Sequence, residues 1–174
     1  MRFFTPDLYV RFNSSDEEEA NEADGAWENA ILEYRKHLDG IRDRLPSQVG
    51  KLADTCLHDA ELLAYDRVVE PASLPPHEPM AILSIKREDG IVSLIYILWD
   101  RIRESPPQRD WPFSKLRTHW LYDEVDTVLS QREKFLHRIL LSDGRVLEIP
   151  FRSVVIHNVS LATASEGEES RQSA

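Results

Sequence analysis

FLHRILLSDGRVLEIPF, Phe135 to Phe151, reads as two extended arms joined by a tight turn at Asp143-Gly144. Ile139 and Leu141 share one face of the first arm. Leu147, Ile149 and Phe151 share one face of the second, the period-two pattern of a half-buried strand. Asp-Gly suits a two-residue hairpin turn, which needs positive φ. Pro150 has no N–H to give to a ladder, so this arm or its end is expected at a sheet edge.

Working outward, Met80 to Lys86 alternates, with Ile82, Ser84 and Lys86 set against Ala81, Leu83 and Ile85. Asp89-Gly90 then supplies a second hairpin turn. IVSLIYILW, Ile91 to Trp99, has no polar face and predicts a central strand covered on both sides, or covered by helices on one side and a partner on the other. Glu61 to Glu70, Arg117 to Val128 and Ser153 to Val159 complete the expected strands. Between them, Pro71, Pro75, Pro76 and Pro79 predict a rigid loop, and Ser105 to Pro112 a turn region.

The first third is helical in pattern. Thr5-Pro6-Asp7 places a hydroxyl at the N-cap, proline at the first helical position and an acid in the first turn. Trp27, Ile31, Tyr34, Leu38, Ile41 and Leu45 recur in steps of four and three, which puts one apolar stripe along a single helix until Pro46 stops it. Ser47 begins another helix, with Val49, Leu52, Ala53, Cys56 and Leu57 on its inner face. Cys56 is read there as a small buried hydrophobe. Two or three N-terminal helices followed by five to seven hairpin-connected strands predict an α+β fold with a mostly antiparallel sheet. Residues 1–159 are expected to form one domain, and 160–174, rich in Ser, Ala, Glu and Gly, a disordered tail.

The chain has 174 residues and a net charge of −10, unevenly spread. Six acids and no base lie between Ser14 and Asp24, read as a solvated loop (14–24) flowing into a helix start, and 160–174 carries −2, so the rest is close to neutral at −2. No basic run with interleaved aromatics is present, which argues against nucleic-acid binding. No apolar stretch approaches the ~18 residues of a membrane span, and the start lacks the pattern of a signal peptide. The single cysteine excludes a disulfide framework or a multi-cysteine metal site. A cytoplasmic protein without membrane contact is expected.

Candidate chemistry is sparse. His58-Asp59 suggests a metal phosphohydrolase pair, but adjacent side chains diverge and His37, beside Lys36, is read as facing solvent. At the step from helix to strand, Asp can cap amides and His can bridge to a carbonyl. His119, Asp123, Glu124 and Asp126 form an acidic strip on one strand. Alternation sends His119 and Asp123 one way and Glu124 and Asp126 the other, with Arg138 and Arg152 as cross-strand partners. His137 and His157 lie on other strands, where a cross-strand histidine cluster is open. The six glycines stand apart, with no phosphate-cradling loop, and no serine sits in a nucleophile elbow. No cofactor and no metal is expected. Trp99, Trp111 and Trp120, near Arg101, Arg103 and Arg109, have the composition of an interface hot spot and equally of a packed sheet.

Four stretches carry a resemblance: Met1-Arg2-Phe3-Phe4-Thr5-Pro6-Asp7-Leu8-Tyr9, Leu57-His58-Asp59-Ala60, Trp120-Leu121-Tyr122-Asp123-Glu124, and His137 to Phe151. Together they resemble a family of small bacterial proteins known only as a domain of unknown function, which implies a fold and no activity. The layout of helix, His-Asp and sheet is more loosely similar to immunity proteins that neutralise bacterial toxins. Two functions follow as expectations. The first is a non-catalytic protein-binding module or homodimer, using Glu17, Glu18 and Glu19 with Trp99, Trp111 and Trp120. The alternative is a small hydrolase or ligand- or metal-binding domain using His58, Asp59, His119, Asp123 and Glu124.

Overall fold

The computed structural model describes residues 1–68, 79–107, 117–128 and 133–160. The rigid proline loop at 71–76, Trp111 and Arg109, and the tail expected over 160–174 from Leu161 onward lie outside the described residues.

Three helices precede the strands. In α1 (Pro6–Phe12), the Thr5 side chain accepts the Leu8 N–H at 3.2 Å and Pro6 opens the helix, as its sequence predicts. α2 (Glu17–Ile41) corrects the expected acidic loop. Asp16 caps it by accepting the N–H groups of Glu18 and Glu19, and Glu17, Glu18 and Glu19 occupy the first turn. Carboxylates there face unpaired N–H groups and the positive end of the helix dipole, so the acids favour the helix start. The buried stripe is Ala23, Trp27, Ala30, Leu38 and Ile41, with Ile31 and Tyr34 half-buried. After a 3-10 turn at Arg42–Arg44, α3 (Ser47–Ala53) buries Val49 and Leu52. It ends before Cys56, which is exposed and not the buried thiol expected.

The strands are β1 (Glu61–Val68), β2 (Met80–Arg87), β3 (Gly90–Leu98), β4 (Arg103–Glu104), β5 (Trp120–Thr127), β6 (Phe135–Leu141) and β7 (Val146–Ser160). They form one antiparallel sheet in the order β1-β2-β3-β7-β6-β5, with β4 paired to the start of β7. The N-terminal helices pack on it, and the fold is α+β. The sheet curls until its ends meet. The N–H of Trp120 donates to Ala60 O and that of Leu62 to Thr118 O, each at 2.8 Å, around a bridge between Glu61 and His119.

The alternation of β2 places Ala81, Leu83 and Ile85 inside, as expected. β3 is central but only one of its faces is fully covered. Val92, Leu94, Tyr96 and Leu98 are buried, while Ile91, Ile95 and Ile97 are half-buried. Pro150 also departs from expectation: it is buried inside the sheet, opposite Leu136 of β6. Its carbonyl accepts the Trp99 N–H at 3.3 Å, so its missing donor faces the gap between β4 and β3, where no strand needs it.

Two large apolar centres result, with a small third formed by Leu121 and Leu140. The curled sheet and α3 enclose Tyr96, Trp120, Ile139, Ile149, Phe151 and Leu52 among others. Outside the sheet, Phe3, Phe4 and Trp27 pack with Tyr9, Tyr34 and Tyr122. β5 lies between the two, with Val125 facing in and Tyr122 facing α2.

Candidate functional site

The chain between α3 and β1 runs along the seam where the sheet closes. Asp59 adopts φ +62°, a left-handed conformation that costs a non-glycine residue of order 1 kcal/mol or more. Its N–H donates to Trp120 O at 2.8 Å. This turn and the β2–β3 hairpin wall an open cleft of about 670 Å³ lined by Cys56, His58, Asp59, Glu61, Lys86, Arg87, Glu88, Asp89 and His119. His58, Asp59 and His119 therefore share one surface, because the Glu61–His119 bridge brings the two ends of the sheet together.

The tautomer of His58 follows from its partners. Nδ1 lies 2.5 Å from Leu121 O, and a carbonyl only accepts, so Nδ1 carries the proton. Nε2 is left facing the Asp59 carboxylate at 3.4 Å. The ring stacks on Tyr122 with centroids 4.6 Å apart, and 40% of the side chain is exposed. An imidazole held this way can accept a proton at Nε2. Three further charged groups of the cleft are paired: Arg87 meets Asp89 at 3.1 Å, and Glu61 meets Arg117 at 3.3 Å. Among the described residues, no group of three His, Cys, Asp or Glu is placed to hold a metal ion.

Asp123 and Glu124 lie elsewhere and point in opposite directions. Asp123 faces the interior, where it accepts from Trp120 Nε1 at 2.9 Å and from His137 Nε2 at 3.0 Å. His137, fully buried, accepts the Tyr96 hydroxyl at Nδ1 at 2.8 Å. Burial, with Asp123 nearby, holds the Tyr96 phenol well above its ordinary range. The Trp120–Asp123–His137–Tyr96 chain satisfies each polar group it contains, and no residue of the cleft belongs to it. Glu124 is 1% exposed and accepts the N–H groups of Arg2, Phe3 and Phe4 at 2.7–3.0 Å. It fastens the N-terminal segment to β5.

The other candidates are scattered through the fold. Glu17, Glu18 and Glu19 are exposed on the first turn of α2; Glu19 bonds Ser14, and Arg11 lies 3.9 Å away. Trp120 is buried within the sheet and presents no contact surface. Trp99 is half-buried; its indole donates to Phe135 O and Lys134 sits over the ring. His37, expected in solvent, instead contacts Asp126 at 3.0 Å. The exposed cleft-lining Cys56, the buried Tyr96 and the clamp of Glu124 on the N-terminus are roles the sequence did not reveal. No family model, curated protein or solved structure matches this chain.

Proposed function

We propose that the protein is a non-catalytic protein-binding module whose acidic helix end engages a basic surface on its partner. One observation carries this reading. Glu17 and Glu18 stand exposed at the start of a 25-residue helix, and among the described residues neither carboxylate has a side-chain partner. Such a patch attracts a basic surface over a Debye length of about 8 Å at physiological salt. The commitment of Asp123 and Glu124 to buried hydrogen bonds supports the same reading, since it withdraws two of five candidate catalytic groups. An immunity-type role, in which the acidic end covers a basic toxin site, fits this chemistry. The test is affinity capture of the partner, followed by titration with the wild type and with Glu17→Lys/Glu18→Lys/Glu19→Lys. Tight, salt-sensitive binding that falls about tenfold or more with the reversal supports the reading. Equal binding by both proteins overturns it.

A second reading rests on the cleft, where His58, Asp59 and His119 come together. It makes the protein a small hydrolase or ligand-binding domain with His58 as the proton acceptor. A ligand or substrate screen should then perturb the His58 and His119 resonances together, and His58→Ala should abolish the response. Independent or absent shifts at the two histidines overturn it.

A further inference from the structure

β7 is about twice the length of β6 and β5, and its two halves have different surroundings. Its first half pairs with β6 on one side and β4 on the other. From Phe151 onward it pairs with β3. Among the described residues, no strand lies along the other side of Ser153 to Ser160. The Leu98 N–H donates to Pro79 O on the β2 side. Alternation along β3 then turns Ile91, Ser93, Ile95 and Ile97 toward β7, and their partners Val159, His157, Val155 and Ser153 toward β3. The peptide groups of Val154, Ile156, Asn158 and Ser160 are left pointing outward. α3 packs against β7, where Val154 is buried, but His157 to Ser160 are all exposed.

An unpaired edge templates further pairing unless charges, proline or a bulge blunt it. β1, the strand at one end of the sheet order, has such guards: Asp66, Arg67 and an irregularity at Leu62/Ala64. The span Val154 to Ser160 of β7 has none; the β7 irregularity opposite Ile97/Leu98 and the exposed Arg152 lie just before it. SVVIHNVS contains no acid, lysine, arginine, proline or glycine, and it carries two exposed valines, Val155 at 55% and Val159 at 47%.

We propose that this edge pairs with the same edge of a second copy, antiparallel, about a two-fold axis at His157. This register places Val155 of each copy against the partner's Val159, so both exposed valines gain a cross-strand apolar neighbour. It sets the outward groups of Ile156 opposite those of the partner's Asn158, and those of Val154 opposite the partner's Ser160. No acid or permanent cation enters the paired span, so self-pairing meets no fixed like-charge contact. The two sheets become continuous across the axis. The surface is separate from the acidic end of α2, and its test is independent of that reading.

The full chain should sediment at twice 20.1 kDa at micromolar concentration. In a Cys56→Ser background, His157→Cys should form a covalent dimer on mild oxidation, because a non-hydrogen-bonded pair brings Cα atoms to about 4.5 Å. Cys56→Ser alone should not cross-link. Asn158→Pro removes an outward N–H, and Val155→Lys adds a charge to the edge. Either variant should weaken association about tenfold or more while keeping the wild-type circular dichroism. A 20.1 kDa species throughout, or a dimer that both variants leave intact and His157→Cys fails to trap, overturns the proposal.

Discussion

Glu124 illustrates how one side chain can be misread from its neighbours in the chain. Beside Asp123 and Asp126 it reads as one member of a wet acidic strip, yet it is buried and saturated by three backbone N–H donors. Removing it leaves those donors without an acceptor and loosens Phe3 and Phe4 from their aromatic neighbours. Glu124→Ala should cost roughly 2–4 kcal/mol in denaturant unfolding, and the Phe3 and Phe4 amides should lose their hydrogen-exchange protection. Unchanged protection would show that the ring contacts alone hold the segment. Nothing local signals this role, because the partners are 120 to 122 positions away in the chain. Separation in the chain likewise hides the Tyr96–His137 bond, whose ends are 41 positions apart. The opposite facing of Asp123 and Glu124 was legible, since strand alternation is a local property.

At the scale of elements, the hairpins were readable from their alternating faces and turn residues, though the turns sit differently from the expected Asp-Gly pairs. Arg87 pairs with Gly90, so Glu88 and Asp89 make the first turn and Gly90 opens β3, while the Leu141 N–H donates to Arg145 O around Ser142, Asp143 and Gly144. The point at which the acidic run turns helical was not readable, because charge alone does not say where a solvated loop ends and a helix starts, and α2 already begins at Glu17. Asp16 followed by three glutamates was the available signal, an N-cap with acids in the first turn. Two glycines give contrasting forecasts. Gly25 lies exposed inside α2 with open space where a Cβ would stand, so Gly25→Ala should stabilise the fold by about 1 kcal/mol and raise the melting temperature. Gly90 has φ +157°, and a Cβ there would lie 2.2 Å from Val159 O. Gly90→Ala should therefore push β3 from β7 and lower the melting temperature, which also removes the edge from which self-pairing is inferred.

Across the whole molecule, charge is organised rather than scattered. Arg103, Glu148, Arg138, Asp126 and His37 run as successive contacts from β4 over β7, β6 and β5 to α2. Burial alone would raise the Glu148 carboxyl. Hydrogen bonds from Arg138 and Arg103 outweigh burial and hold it below its ordinary value of 4.5. A carboxyl lowered on folding adds stability above its unfolded value, and that stability is lost as the pH falls through the folded value. Glu148→Gln should thus melt below the wild type at pH 7, with the gap closing as the pH is taken below 4.5. A gap of constant size would assign the loss to packing. Among the described residues, no helix is long and apolar enough to cross a membrane.

The grip of Glu124 on residues 2 to 4 also sets an order of events during synthesis. A ribosome makes the three N–H groups long before it makes the carboxylate that receives them. Until β5 emerges, Phe3 and Phe4 lack both that anchor and the Tyr122 ring that stacks on Phe4. Helices α1 and α2 must therefore wait, half-covered, while most of the sheet is still being translated. Closing so large a loop is slow relative to forming either hairpin. Residues 2 to 4 are among the last to find their place.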